Sequence, residues 1–214
     1  MNSGQPLTDQ ALSLDHWLSY IQEVHPVGWD LGLDRVSEVG RRLKVLHPAV
    51  TTVLVAGTNG KGSTCEYLER FAMANGLSVG KSTSPHIHQF NERIAIDGVP
   101  VPDQSIVRAF QEIESARKEI TLTYFEFATL ASLLLFCEQK VDVAILEVGL
   151  GGRLDAMNIV DPDLTIITHI SLDHQDWLGN TRAEIAREKA GIMRAGVSCI
   201  VADRDPPESV YEYA

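Results

Sequence analysis

The sequence predicts an α/β fold: a phosphate-loop protein with a mainly parallel sheet flanked by helices. Three observations carry that expectation. Short apolar runs alternate with segments of helical periodicity along the whole chain. One run, VLVA, enters a glycine-rich turn and then a helix, the context in which backbone amides cradle phosphate. Two later runs, VAILE and LTIIT, deliver polar residues at their C-terminal ends, where open α/β sheets place their ligands.

The elements follow in order. Leu14, Trp17, Leu18 and Ile21 recur at helical spacing, so residues near 9 to 23 read as an amphipathic helix. HPVGWDLGL reads as a loop. A second helix carries Val36, Val39, Leu43 and Leu46 on one face, and His47-Pro48 ends it. Thr51 to Ala56 is apolar on both sides, as a buried parallel strand is. The helix after the glycine-rich turn presents Tyr67, Leu68, Phe71 and Ala72 as its buried face, with Gly76 near its end. Ser78 to Ser82 is a short strand, and ERIAIDGVPV alternates about Asp97-Gly98, a hairpin signal. Asp103 is placed to cap a helix with Ile106, Phe110 and Ile113 inward. Phe125 to Phe136 is apolar almost all round, so that helix is buried on several sides. Strands at Val141 to Leu146 and Leu164 to Thr168 bracket the loop EVGLGGRLDAMNIVDP. Thr181 and Glu184 form a capping box for a helix that Gly191 closes, and Val197 to Val201 is a last strand.

The 214 residues are 44% hydrophobic and 22% charged, ordinary for a soluble globular protein. A net charge of −11 repels phosphate backbones, which argues against a nucleic-acid partner. Cys65, Cys137 and Cys199 are scattered, which suits a reducing compartment and neither a disulfide framework nor a zinc site. The N-terminus lacks the pattern of a secretion signal, and the longest apolar stretch, Ala128 to Cys137, is short of the roughly 20 residues a membrane span needs. A cytoplasmic location and no membrane partner are therefore expected.

In the turn itself, Gly57, Gly60 and Gly62 let the backbone bend so that successive N–H groups point at phosphate oxygens. Lys61 would reach the outer phosphates, and Ser63 and Thr64 open the next helix, where a hydroxyl could assist phosphate or metal. The spacing GxxGK is shorter than the common lysine loop, and Gly62 follows the lysine, which speaks against a kinase or GTPase. Glu147 ends an apolar strand and enters a Gly-rich loop, the position of a magnesium carboxylate. Asp173, His174 and Asp176 follow another strand and could bind metal or nucleotide. On spacing alone, a hydrogen-bonded loop histidine remains the commoner case for His174, and Lys189 at a helix C-terminus says nothing by itself.

Taken together, DLGLDRV, AGTNGKGST, TSPH with NERI, LTYFEFATL, LEVGLGGRLDAMNIV, LDHQDWLG and REKAGI stand in the order found in the folylpolyglutamate synthase and dihydrofolate synthase family, relatives of the Mur ligases. From about Trp17 to Ala195 the chain resembles that family, most of all its bacterial bifunctional members. The resemblance implies a Mur-ligase-like ATPase domain and an ATP-dependent ligase adding L-glutamate to dihydropteroate and to folates through an acyl phosphate. It implies that Gly57, Thr58, Asn59, Gly60, Lys61, Gly62 and Ser63 hold ATP. Ser84, Glu147 and His174 match the family's Mg2+ ligands, and Lys189 matches a lysine carbamylated by CO2. Lys61, His174 and Lys189 would thus be the catalytic set. Asp30, Leu31, Gly32, Thr123, Phe125 and Asp155 fall in segments that hold the pterin; Phe125 could stack on its ring and Asp155 could bond its nitrogens. Family members are about twice this length. Residues 1–214 are accordingly expected to be a truncated N-terminal ATP-binding domain without the C-terminal glutamate-ligase domain, and the full-length protein a monomer. Two alternatives stay open: a module that binds pterin or nucleotide without ligation, and a Mur-type ligase acting on a cell-wall or polymer substrate.

Overall fold

Seven strands form one sheet in a computed structural model that describes residues 13–28 and 30–213. They are β1 (Thr51–Ala56), β2 (Val79–Ser82), β3 (Ile94–Ile96), β4 (Val99–Pro100), β5 (Val143–Glu147), β6 (Leu164–Ile167) and β7 (Ser198–Val201), in the order β4-β3-β2-β5-β1-β6-β7. β2, β5, β1, β6 and β7 run parallel, and β3 and β4 add an antiparallel edge. The helices are α1 (Leu14–Glu23), α2 (Asp34–Leu43), α3 (Lys61–Ala74), α4 (Asp103–Arg117), α5 (Tyr124–Gln139), α6 (Gln175–Leu178) and α7 (Arg182–Ala190). Val55 of the central β1 is level with Glu147 on one side and Ile166 on the other, so the loops after β1, β5 and β6 leave the sheet along one edge. That edge carries the site.

The alternation of β1 explains the two layers. Leu54 and Ala56 face the larger core, which includes α5, α4 and α1; Val53 and Val55 face a smaller cluster beneath α3. α5 is buried over nearly its whole length, as its unbroken apolar run requires. Phe127 meets Phe110 of α4 edge to face at 5.9 Å, and both are fully buried, worth roughly 2 to 3 kcal/mol each in transfer energy.

The turn chemistry behaves as its residues dictate. Asp97 and Gly98 both take positive φ, 50° and 76°, closing the β3–β4 hairpin, and Thr181 with Glu184 caps α7 reciprocally. Several expectations need correction. α1 starts at Leu14 behind the Ser13 cap, and residues 9–12 of the expected helix lie outside the described residues. α2 stops at Leu43 because Lys44 turns left-handed at φ 60°, leaving Leu46 beyond it. Pro102, not Asp103, stands at the cap of α4, and the Asp103 carboxylate accepts from Asn91 Nδ2 at 2.9 Å. Gly191 does close α7 as expected, but with a right-handed φ of −61°; its small size is needed because a Cβ would fall 2.4 Å from that of Arg153.

The largest miss concerns α3. Leu68 and Ala72 pack on the sheet, but Tyr67 and Phe71 are 75% and 73% exposed. At 100° per residue, Cys65, Leu68, Glu69 and Ala72 share the face that meets β1, β5 and β2. Tyr67 and Phe71 lie on its flank. Glu69 occupies the buried face because Lys81 of β2 pairs with it there, and with Glu66 at 2.5 Å. Among the described residues no helix is long and apolar enough to cross a membrane.

Candidate active site

β1 ends in the glycine-rich turn, and α3 begins at Lys61, so the N-terminal amides of a 14-residue helix face the turn. Gly57 has φ 150°, and a Cβ there would lie 1.7 Å from Thr168 Oγ1; Gly60 has φ 86°. Thr58 pins the turn to the loop after β6: its N–H donates to the His169 carbonyl at 2.7 Å and its hydroxyl to the Ser171 carbonyl at 3.1 Å. Asn59, Gly60, Gly62 and Ser63 remain exposed. The Thr64 hydroxyl is spent on the Gly60 carbonyl at 2.8 Å. Lys61 Nζ folds back onto the Gly57 and Thr58 carbonyls at 3.1 and 3.4 Å, with no carboxylate partner among the described residues. A cation resting on its own loop is free to move to an incoming phosphate.

Glu147, at the end of β5, is only 4% exposed, and its Oε2 accepts from the Ser84 N–H at 3.0 Å. Burial holds its carboxyl above the ordinary range, against the pull of that N–H, Lys61 and Arg93. His174, by contrast, is half exposed in a left-handed turn at φ 47° before α6, with Nε2 3.7 Å from Asp173. Lys189 is 3% exposed. Burial first, then the Lys61 charge, lower its pKa to about 8, while Asp173 and Asp155 oppose the shift. A lysine in that state carries a sizeable fraction of neutral, nucleophilic amine.

One cavity of about 540 Å³ joins these groups to the other candidates: Lys61, Ser84 and His174 line it, as do Asp30, Leu31, Gly32, Thr123, Phe125 and Asp155. Glu147 and Lys189 are buried groups outside its lining. The Phe125 ring lies so close over Gly149 that a Cβ there would sit 2.6 Å from Cζ. Asp155 is fixed by the loop it closes, accepting from Leu150 and Met157 N–H groups at 2.8 and 2.9 Å. Burial nonetheless lifts its pKa to about 6.

That shift has a measurable sign. Between about pH 4 and pH 6 the folded protein keeps the Asp155 proton while an unfolded aspartate has lost it, so stability falls as pH rises through this window. Asp155→Asn does not titrate. Its stability deficit relative to wild type should shrink by roughly 2 kcal/mol between about pH 4 and pH 7 in urea denaturation. A gap independent of pH would refute the raised carboxyl.

Thr123 also has a plain structural duty: it caps α5 reciprocally with Glu126. The spacing Thr-x-x-Glu would have revealed that box. The buried Glu126 accepts from Arg35 Nη2 at 3.2 Å. Arg35 Nη1 donates to Asp30 Oδ2 at 2.6 Å, and His25 Nε2 lies 3.1 Å from the same oxygen. Asp30 therefore reaches the cavity with its carboxylate already engaged. Its own partners, His25 and Arg35, each stand five residues from it in sequence, but Glu126 joins the group from 91 residues beyond Arg35, so no local spacing shows the whole cluster. Nor does spacing single out Arg93, which lines the cavity beside Tyr124.

Among the described residues no three His, Cys, Asp or Glu side chains group as a ready metal cluster. Magnesium does not require one. It takes one or two protein carboxylates and completes its shell with phosphate oxygens and water. A buried carboxylate at Glu147 bonded to Ser84, beside a phosphate loop, fits that pattern.

The Mur ligase middle domain family matches residues 55–211. The chain belongs to the Mur ligase family. Within this family it is 51% identical over 208 residues to the dihydrofolate synthase/folylpolyglutamate synthase of Escherichia coli (strain K12), covering 97% of this chain and 49% of that protein. The solved structure of E. coli FolC in complex with DHPP and ADP superposes with a TM-score of 0.95 at 51% identity, over 97% of this chain and 50% of the other. A bifunctional folylpolyglutamate synthase/dihydrofolate synthase solved with Mn, AMPPNP and L-glutamate bound gives 0.91 at 49% identity, over 97% and 51%. The chain spans about half the length of the curated Mur ligase relatives it matches. The parallel sheet, the helices on both faces and the glycine-rich turn after β1 are those expected of the fold.

Proposed function

We propose that this chain is the N-terminal, ATP-binding part of a ligase that joins L-glutamate to dihydropteroate and to folates. The observation that carries the reading is the single cavity whose walls include both the phosphate-loop Lys61 and the Phe125–Asp155 pair. A flat heterocycle at one end and a nucleotide's terminal phosphate at the other would share one enclosed space.

In this reading the turn from Gly57 to Ser63 holds the ATP phosphates through its amides. Phe125 stacks on the pterin, and the ionised Asp155 accepts from the pterin's amino group and ring nitrogen. The substrate carboxylate attacks the γ-phosphate and ADP leaves, giving the acyl phosphate, while Lys61 offsets the charge that develops there. The glutamate amine then displaces phosphate from the acyl phosphate, forming the amide. Ser84, Glu147 and His174 would hold magnesium, which when bound neutralises charge on the phosphate oxygens. The Lys189 ammonium first loses a proton; the neutral amine then adds CO2 and releases a second proton, which leaves a carbamate anion near Lys61 where a buried cation stood. Its lowered pKa supports that step. The glutamate site and the full-length monomer belong to the same proposal.

The test is phosphate release from ATP by the full-length protein with magnesium, bicarbonate, dihydropteroate and L-glutamate. Release should require both substrates, fall in CO2-depleted buffer and return with bicarbonate. Dihydropteroate binding without release would leave a non-catalytic binding module. Release with UDP-sugar acceptors in place of dihydropteroate would point to another Mur-type ligase.

A further inference from the structure

Arg93 is the one cavity-lining cation that the proposed function leaves without a task. It ends the short helical turn Phe90–Arg93 and enters the cavity between its two ends, near enough to feel Tyr124 on the heterocycle side and Glu147 on the phosphate side. Its guanidinium carbon lies 5.6 Å from the Tyr124 ring centre and 5.8 Å from that of Phe90, so two aromatic rings flank the fork. Nε donates to His86 Nδ1 at 2.8 Å. No carboxylate bonds it, and Nη1 and Nη2 have no hydrogen-bond partner among the described residues. The chain's other cavity cation, Lys61, rests on carbonyls of its own loop.

A half-buried arginine held rigidly by rings, with both terminal nitrogens free, is a preorganised receptor for a planar anion. We infer that Arg93 binds the reacting carboxylate of the acceptor substrate and holds it toward the phosphate loop. The inference rests on the proposed pterin reading, because a ring on Phe125 directs its benzoate arm along the cavity toward Lys61 and past Arg93. The chemistry recognised is an aryl or alkyl carboxylate. After phosphoryl transfer the same fork would face the acyl phosphate oxygens.

The test compares two ligands by calorimetry on the full-length protein without ATP: dihydropteroate, and the analogue lacking its carboxylate, 6-(anilinomethyl)-7,8-dihydropterin. Wild type should prefer dihydropteroate by about 10- to 100-fold, the range of a charge-assisted pair. Arg93→Met should bind both as wild type binds the analogue, and Arg93→Lys should keep a reduced preference. Cooperative thermal unfolding at the wild-type midpoint checks that each variant folds; if the methionine variant fails that check, the lysine variant decides, and an undiminished preference there overturns the inference. An Arg93→Met protein that still discriminates between the ligands overturns it while leaving the pterin reading intact. Wild type that binds neither ligand removes the pterin reading, and this inference falls with it.

Discussion

Replacing Lys61 by methionine is expected to lower substrate-dependent phosphate release by about 100- to 1,000-fold, the usual cost of removing one preorganised donor to developing charge. The substitution keeps the aliphatic stem and deletes only the ammonium. Among the described residues that ammonium bonds only the carbonyls of Gly57 and Thr58 in its own loop. The unfolding midpoint should therefore stay where it is while turnover collapses. Steady-state phosphate release and a thermal scan on the same preparation separate the two. Activity within tenfold of wild type would take Lys61 out of the transfer step.

The second large effect is on architecture. A Cβ at Gly152 would lie 2.7 Å from the Glu188 carbonyl oxygen, 2.9 Å from that of Lys189 and 3.1 Å from Ile192 Cγ2. Two of these atoms are backbone at the C-terminal turn of α7, so no side chain can simply rotate away. Gly152→Ala should destabilise the protein by about 1 to 3 kcal/mol and move Lys189, lowering turnover as well. Gly76→Ala is the comparison. It has φ 80° but nothing within 4 Å, so it carries left-handed strain alone, about 1 kcal/mol, with activity unchanged. Chemical denaturation with parallel assays decides; equal effects at the two sites would contradict the docking of the loop on α7.

What could be read from the chain divides by the range of the interaction. The strand–turn–helix around Lys61, the Asp97-Gly98 turn and the Thr181–Glu184 box are written within a few residues, and all three stand in the structure. The burial of α3 was not legible, because its sheet-facing Glu69 is explained only by Lys81, which belongs to the next strand. In the cavity, family resemblance brought Asp30, Thr123, Phe125 and Asp155 together from three segments, a grouping that no periodicity supplies. Their supports stayed hidden for the same physical reason. Arg35 reaches Glu126 across 91 residues, and Arg93 owes its orientation to Tyr124 on another element.

The loop between β5 and β6 looks, by composition, like a part that could be exchanged freely. It is the opposite. Asp155 closes it from within, the Arg153 N–H donates to the Glu188 carbonyl at 2.8 Å, and Asn158 Nδ2 donates to the Gly191 carbonyl at 3.0 Å. Gly149 and Gly152 leave room only for Phe125 and the end of α7. The unit of modularity is thus the loop together with the first turn of α5 and the last turn of α7. A graft or redesign that transplants the glycines alone would carry the shape of the loop without the walls that mould it.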